Sequence, residues 1–265
     1  MIDISQINYS AFDRQEILTC LFHPRSEGFS STPAKNAEDM LIPVEDGLFI
    51  GARLHHANKK APTILFFHGN GEIVSDYDEL GPMYSNIGIN FLPVDYRGYG
   101  RSTGTPTVTG MMRDCHLIHD YAKQWLAAKG YTGLFIIMGR SLGSASALEL
   151  ATNYEKEIDG LIIESGFAYV IPLLQLIGIN VNALGLSEEE GFCNIDKIQN
   201  FNKPVLIIHA EYDHIIPFKD GQALFNNCPF PEKKFLMIPA ADHNTLFAYG
   251  IENYMRAIKE LTENL

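Results

Sequence analysis

Phe135-Ile136-Ile137-Met138-Gly139-Arg140-Ser141-Leu142-Gly143-Ser144-Ala145-Ser146-Ala147-Leu148 decides the fold. The apolar run from Gly133 to Met138 reads as a short buried strand, and Ser144 to Ala151 is rich in small residues and good helix formers. A strand, then G-x-S-x-G, then a helix is the nucleophile elbow of a serine hydrolase. The turn is so sharp that bulky flanking residues would collide with the neighbouring strand and helix, and Gly139 and Gly143 remove those collisions. Ser141 is thereby lifted clear of the sheet, with the Leu142 amide at the start of a helix facing the same space.

Working outward, the same alternation continues. Met40–Pro43 and Leu48–His55 read as strands joined by Glu45-Asp46-Gly47, a hairpin signal. A buried strand is expected at Thr63–Phe67, and further strands at Asn90–Val94, Phe135–Met138, Gly160–Glu164, Pro204–His209 and Lys234–Ile238. Helices are expected at Tyr77–Ile87, Thr109–Lys129, Leu142–Tyr154, Lys219–Asn227 and about Thr245–Leu261. Residues before about 38 look irregular, with a short helix near Asp13–Leu21. Strands apolar throughout, separated by helical crossovers, mean a mostly parallel, doubly wound α/β sheet with helices on both faces. The expectation is a single domain over residues 1–265, with a short cap at about 167–200.

The chain has 265 residues, 46% hydrophobic and 20% charged, as in an ordinary globular enzyme. A net charge of -12 argues against nucleic acid or an anionic membrane as the main partner. The N-terminal residues show no signal-peptide pattern, and Phe167–Leu186 is too interrupted to span a bilayer. Cys20, Cys115, Cys193 and Cys228 are scattered, which points to reduced thiols, not a zinc site, and to the cytoplasm.

In such sheets function gathers at the carboxyl ends of the strands. A serine hydroxyl needs a base, and the base a carboxylate, in the chain order Ser, Asp or Glu, His. Three histidines follow Ser141. His243, between the last strand and the last helix, is favoured as the base; His209 ends an apolar strand and reads as structural, and His214 as a loop residue. Asp213 is favoured as the acid over Glu164 and Glu211. The oxyanion of acyl transfer needs donors. Leu142 N–H supplies one, and the loop His68-Gly69-Asn70-Gly71-Glu72 the other, through Asn70 with Gly71 as the fallback. His68 reads as bonding within that loop. Asp95 to Ser102 reads as a structural loop, without the lysine and spacing of a phosphate loop.

Together, F-F-H-G-N-G-E, V-D-Y-R-G-Y-G-R-S, G-R-S-L-G-S, P-V-L-I-I-H-A-E-Y-D and D-H-N resemble the α/β-hydrolase superfamily and, within it, the Bem46-like serine hydrolases with their ABHD13 and ABHD17 relatives. The resemblance implies a Ser141–His243–Asp213 triad, an oxyanion hole near Asn70 and Leu142, and hydrolysis without metal or cofactor. Some relatives remove fatty-acyl groups from cysteine thioesters of membrane-bound proteins. This chain departs at Ala210 and at Asp242, where glycine is usual; Asp242 sets a carboxylate beside the base, which is expected to raise its pKa. The expected substrate is a small or medium acyl ester, without stable membrane insertion. Cleavage of amides or peptides, acyl transfer, and a non-catalytic ligand-binding role remain alternatives on the same residues. Phe167–Ile177 either lines an acyl pocket or packs as an ordinary helix, and Glu188-Glu189-Glu190 reads as solvated surface.

Overall fold

A computed structural model describes residues 3–28 and 36–265. The irregular segment expected before residue 38 therefore falls partly outside the described residues. Its short helix is present as α1 (Gln15–Leu21), which buries Ile17 and Leu21.

The strands are β1 (Ala37–Glu45), β2 (Leu48–His55), β3 (Thr63–Phe67), β4 (Asn90–Val94), β5 (Phe135–Arg140), β6 (Gly160–Glu164), β7 (Val205–Ala210) and β8 (Lys234–Ile238). Among the described residues they form one sheet in the order β1-β2-β4-β3-β5-β6-β7-β8. The β1–β2 hairpin is antiparallel, as is the β2–β4 pairing, and every pairing from β4 to β8 is parallel. Gly47, at φ +75°, makes the hairpin turn that Asp46-Gly47 signalled.

The continuous apolar strands exist because both sheet faces are covered. Successive side chains of a strand point to opposite faces. Ile64, Phe66, Ile136, Met138, Ile162, Leu206 and Ile208 therefore join one core, while Leu65, Phe67, Ile137, Leu161, Ile163 and Ile207 join the other. The first core is closed by α2 (Leu80–Asn86) and by α9 (Leu246–Glu263). The second is closed chiefly by α3 (Val108–Ala128), α4 (Gly143–Asn153) and α8 (Phe218–Asn227). Between β6 and β7 the chain forms three short helices, α5 (Val170–Leu176), α6 (Val181–Leu184) and α7 (Asn194–Gln199).

Two expected helices differ in detail. The helix expected over Tyr77–Ile87 is split into a 3-10 turn at Val74–Tyr77 and α2. Pro82 has no N–H to give to the Asp78 carbonyl, so a regular helix cannot run back through that turn. The last helix breaks at Gly250, whose φ is -145°. A Cβ there would sit 2.7 Å from Ile238, so the glycine lets α9 approach β8. No helix among the described residues is long and apolar enough to cross a membrane.

Candidate active site

The elbow follows from the strand, glycine-flanked serine and helix of Phe135 to Leu148. β5 ends at Arg140, Ser141 takes φ +50°, and α4 begins at Gly143. A non-glycine residue in that left-handed region is strained by about 1–3 kcal/mol and persists only where its surroundings fix it. Here Ser141 N donates to the Glu164 carbonyl at 2.9 Å, and the Ser141 carbonyl accepts from Ser144 N at 3.0 Å and Ser144 Oγ at 2.6 Å. A Cβ on Gly139 would lie 2.3 Å from the Gly143 carbonyl oxygen, and one on Gly143 would lie 2.1 Å from that of Phe67. Both glycines are sterically required. Leu142 stands at the N-terminus of α4, where amides lack an intrahelical acceptor.

The β8–α9 loop brings His243 to Ser141, with Nε2 3.0 Å from Oγ. His243 Nδ1 lies 2.7 Å from Asp213 Oδ2. The other Asp213 oxygen accepts the amides of Ile215 at 3.0 Å and Ile216 at 2.8 Å, so the carboxylate is fully engaged. Burial opposes ionisation of Asp213, but the His243 hydrogen bond, its charge and the Ile216 amide outweigh it and hold the carboxyl below its ordinary pKa. Ser141, His243 and Asp213 are thus brought together in one hydrogen-bonded line, across 102 residues of sequence between Ser141 and His243.

The rival groups are placed otherwise, with His209 packing against the acid, its Nε2 3.5 Å from Asp213 Oδ2. His209 is buried and its Nε2 donates to the Ile216 carbonyl at 2.9 Å. His214 is exposed. Glu211 accepts the Ala240 amide at 2.8 Å and so braces the His243 loop. Glu164 pairs with Arg140 and accepts the Tyr254 hydroxyl at 2.6 Å. The Asp242 carboxylate accepts Asn244 N at 3.0 Å and Thr245 Oγ at 2.8 Å, within the turn that starts α9.

After β3, His68 Nδ1 donates to the Gly69 carbonyl at 2.7 Å. Carbonyl and N–H of one trans peptide point in opposite directions, so the Asn70 N–H is directed away from the His68 ring. The Asn70 side chain is pinned as well: its Oδ1 accepts from His23 N and the Tyr99 hydroxyl, each at 2.8 Å. Arg25 Nε donates to the Gly71 carbonyl at 2.7 Å. Tyr99 belongs to the Asp95–Ser102 loop, which therefore supports the Asn70 turn, while Ser102 Oγ accepts the Gly51 amide at 2.9 Å.

Sequence reasoning missed the group that joins these loops. Arg140, the variable residue before Ser141, is buried. Its Nε donates to Glu72 at 2.8 Å, its Nη1 pairs with Glu164, and its Nη2 donates to the His243 carbonyl at 2.9 Å. Glu72 in turn accepts the Gly69 amide at 2.6 Å and the Tyr77 hydroxyl at 2.7 Å. Burial disfavours the Glu72 carboxylate, yet Arg140 overrides it and brings the pKa down to about 2. The available signal was a charged residue closing an otherwise apolar strand, which must find partners when buried.

Between β6 and β7, Val170 and Leu174 pack into the core, whereas Leu176 is 55% exposed. The Glu188 carboxylate accepts the amides of Val170 at 3.1 Å and Ile171 at 3.2 Å at the start of α5. The reading of residues 188–190 as solvated surface is corrected for Glu188, whose carboxylate is drawn inward by unsatisfied helix amides.

A family model described as serine aminopeptidase, S33 matches residues 58–184. Alpha/beta hydrolase domain-containing protein 17B of Homo sapiens is 35% identical over 209 residues, covering 75% of this chain and 65% of that protein. Protein bem46 of Schizosaccharomyces pombe is 30% identical over 190 residues, covering 69% of this chain and 62% of its own length. The chain thus spans somewhat under two thirds of the length of either relative. Among solved structures, the Pyrococcus furiosus esterase Pf2001 superposes with a TM-score of 0.73 at 17% identity, covering 91% of this chain and 98% of that one. At that identity the likeness is one of fold.

Proposed function

We propose, from the premise that this chain belongs to the Bem46/ABHD family of α/β hydrolases, that it is a serine hydrolase of carboxylic esters or thioesters working through an acyl-enzyme. The observation that carries this reading is the line Ser141 Oγ, His243 Nε2, His243 Nδ1, Asp213 Oδ2, with spacings of 3.0 and 2.7 Å. His243 takes the hydroxyl proton as Ser141 Oγ bonds to the acyl carbonyl carbon, and Asp213 orients and stabilises the imidazolium. The Leu142 and Asn70 amides receive the oxyanion. His243 then gives its proton to the leaving group as the acyl bond to it breaks, and activates the water that releases the acid. No step calls for a metal or cofactor. The proposed setting is the cytoplasm, where Cys20, Cys115, Cys193 and Cys228, all unbridged, would remain thiols.

The test is hydrolysis of p-nitrophenyl acetate, butyrate, octanoate and palmitate by the parent and by Ser141→Ala. Loss of turnover by about 1000-fold or more in a folded variant is expected. A folded Ser141→Ala protein that hydrolyses esters as fast as the parent overturns the assignment. Because the matching family model is described as an aminopeptidase, the same assay includes amino-acid p-nitroanilides; turnover there in preference to esters moves the reading to amide hydrolysis on the same triad.

A further inference from the structure

The loop that presents the Asn70 amide has little stiffness of its own. Gly69 and Gly71 flank Asn70, Gly71 takes φ +76°, and a Cβ on Gly71 would meet nothing within 4 Å. Glycine on both sides leaves a backbone many conformations, whereas an oxyanion donor helps only where its direction is fixed before the charge forms. The near side of the loop is fixed by His68, which donates to the Gly69 carbonyl, and by Glu72, which accepts the Gly69 amide. The far side is held by residues 22–27, which precede β1, together with Tyr99.

That segment is anchored independently of the side chains it turns toward the loop. Phe22 is buried in the core, and Ser26 forms a β-bridge with Gly100. The Arg25 carbonyl accepts the Gly100 amide at 2.9 Å, and the Glu27 amide donates to the Gly100 carbonyl at 3.1 Å. Between these anchors lie His23 and Arg25. His23 N donates to Asn70 Oδ1 at 2.8 Å, and His23 Nδ1 stands 2.7 Å from Asn70 Nδ2. An amide nitrogen can only donate, so Nδ1 is the acceptor and the two residues are bonded reciprocally. Arg25 Nε donates to the Gly71 carbonyl at 2.7 Å, and its Nη2 pairs with Asp76, whose carboxylate accepts the Ile73 amide at 2.9 Å. Two side chains of one segment thus grip consecutive residues of the loop.

We infer that His23 and Arg25 are positioning residues for the reaction: acting through Asn70 and Gly71, they fix the Asn70 N–H where the oxyanion forms. This rests on the acyl-transfer reading above, in which that amide is the second donor. A group that only aims this donor stabilises the transition state and leaves ground-state binding alone. Without either side chain the amide is still present but less well directed, so the loss is smaller than the ~100–1000-fold of removing a donor outright. Both residues are exposed, and the bonds of Arg25 and Glu27 to Gly100 are made by backbone, so the variants keep the segment in place.

The test compares His23→Leu, His23→Asn and Arg25→Met with the parent in p-nitrophenyl butyrate hydrolysis and in inhibition by an alkyl trifluoromethyl ketone. Ser141 Oγ bonds to the ketone carbon, its proton passes to His243, and the carbonyl oxygen becomes the oxyanion. His23→Leu removes the acceptor, whereas His23→Asn offers Oδ1 in its place. Arg25→Met keeps an apolar stem without the guanidinium. In His23→Leu and Arg25→Met, kcat and kcat/KM fall together by about tenfold, and the inhibition constant of the ketone rises by the same factor. The thermal midpoint stays in place, and His23→Asn recovers most of the rate. Parent-like rates in both truncations overturn the inference, as does a loss confined to KM or one without a matching loss of ketone affinity. A parent that neither turns over the ester nor binds the ketone overturns the acyl-transfer reading itself.

Discussion

Arg140 is the residue on which the buried charge of the site converges, because it answers two carboxylates and one carbonyl from two loops and the end of β6. Burial alone would disfavour the guanidinium, but Glu72 and Glu164 hold it charged, with its pKa well above the ordinary value. Removing one partner of such a group leaves the others buried and unpaired, which is more costly than the pair's net worth. Arg140→Met should therefore destabilise the fold by about 3–5 kcal/mol, read from a urea unfolding midpoint; a loss under about 1 kcal/mol would mean that water reaches Glu72 and Glu164 in its place. Gly143→Ala is a purely steric counterpart. Its Cβ would meet the Phe67 carbonyl oxygen at 2.1 Å, and backbone on both sides leaves little to yield. Destabilisation of about 1–3 kcal/mol or more is expected, and an unchanged thermal midpoint would contradict the tight elbow. The need for glycine at 139 and 143 was legible because steric demand is local to the motif. The partners of Arg140 were not, since they stand 24, 68 and 103 residues away and nothing in a linear pattern pairs them.

At the scale of elements, what periodicity could reach was reached. Apolar runs of five or six residues became strands because both faces of the parallel sheet are covered, and α3 presents Met111, Cys115, Ile118 and Ala122 to the core as its spacing demands. The Ser141, Asp213 and His243 loops follow β5, β7 and β8, the strand ends where the alternating pattern places reactive groups. Departures came from single residues acting on backbone: Pro82 delaying α2, Gly250 kinking α9, and Glu188 reaching the first amides of α5. The last of these was invisible because a run of three glutamates carries no sign of which one turns inward. Glu188→Ala removes acceptors for two helix amides and should cost about 1 kcal/mol, whereas Glu189→Ala, at an exposed carboxylate, should cost next to nothing. Equal midpoints for both variants in thermal unfolding would sink the capping role. A loosened α5 should also disturb the pocket that Pro172, Leu173 and Leu176, on the same helix, line with Ile215 and Ile216.

Across the whole molecule, buried titrating groups and the exposed surface pull in opposite directions as pH falls. The net charge of -12 shrinks toward zero as pH falls to about 5.1, which relieves self-repulsion over that range and favours the compact state, and below it the chain turns net positive. Exposed charges are screened over about 8 Å at physiological salt, so this gain is modest. Buried groups are screened far less. His55 lies inside the sheet edge, packed against Gly81, and burial pushes its pKa from 6.5 down to about 4. Its folded-state pKa is below its unfolded one, so the unfolded chain takes up the proton first and stability is lost as pH falls from about 6.5 to about 4. That shift corresponds to at most roughly 3 kcal/mol. Burial likewise lowers His209, His119 and His56, which adds to the same window. Glu149, despite burial, is held at about 2 by His116 and by Lys197, whose Nζ ties α7 to α4 at 2.6 Å, and Glu72 is held at about 2 by Arg140. These carboxylates contribute fully above their ordinary pKa near 4.5 and lose that contribution as pH drops toward 2. Two successive losses are therefore expected in urea midpoints recorded from pH 8 to pH 3 in 0.15 M salt. The first begins below about 6.5 and the second below about 4.5, with little change above 7. His55→Gln should shrink the first step and leave the second. Midpoints that hold steady or rise between pH 6.5 and 4 would mean that relief of surface repulsion outweighs the buried histidines.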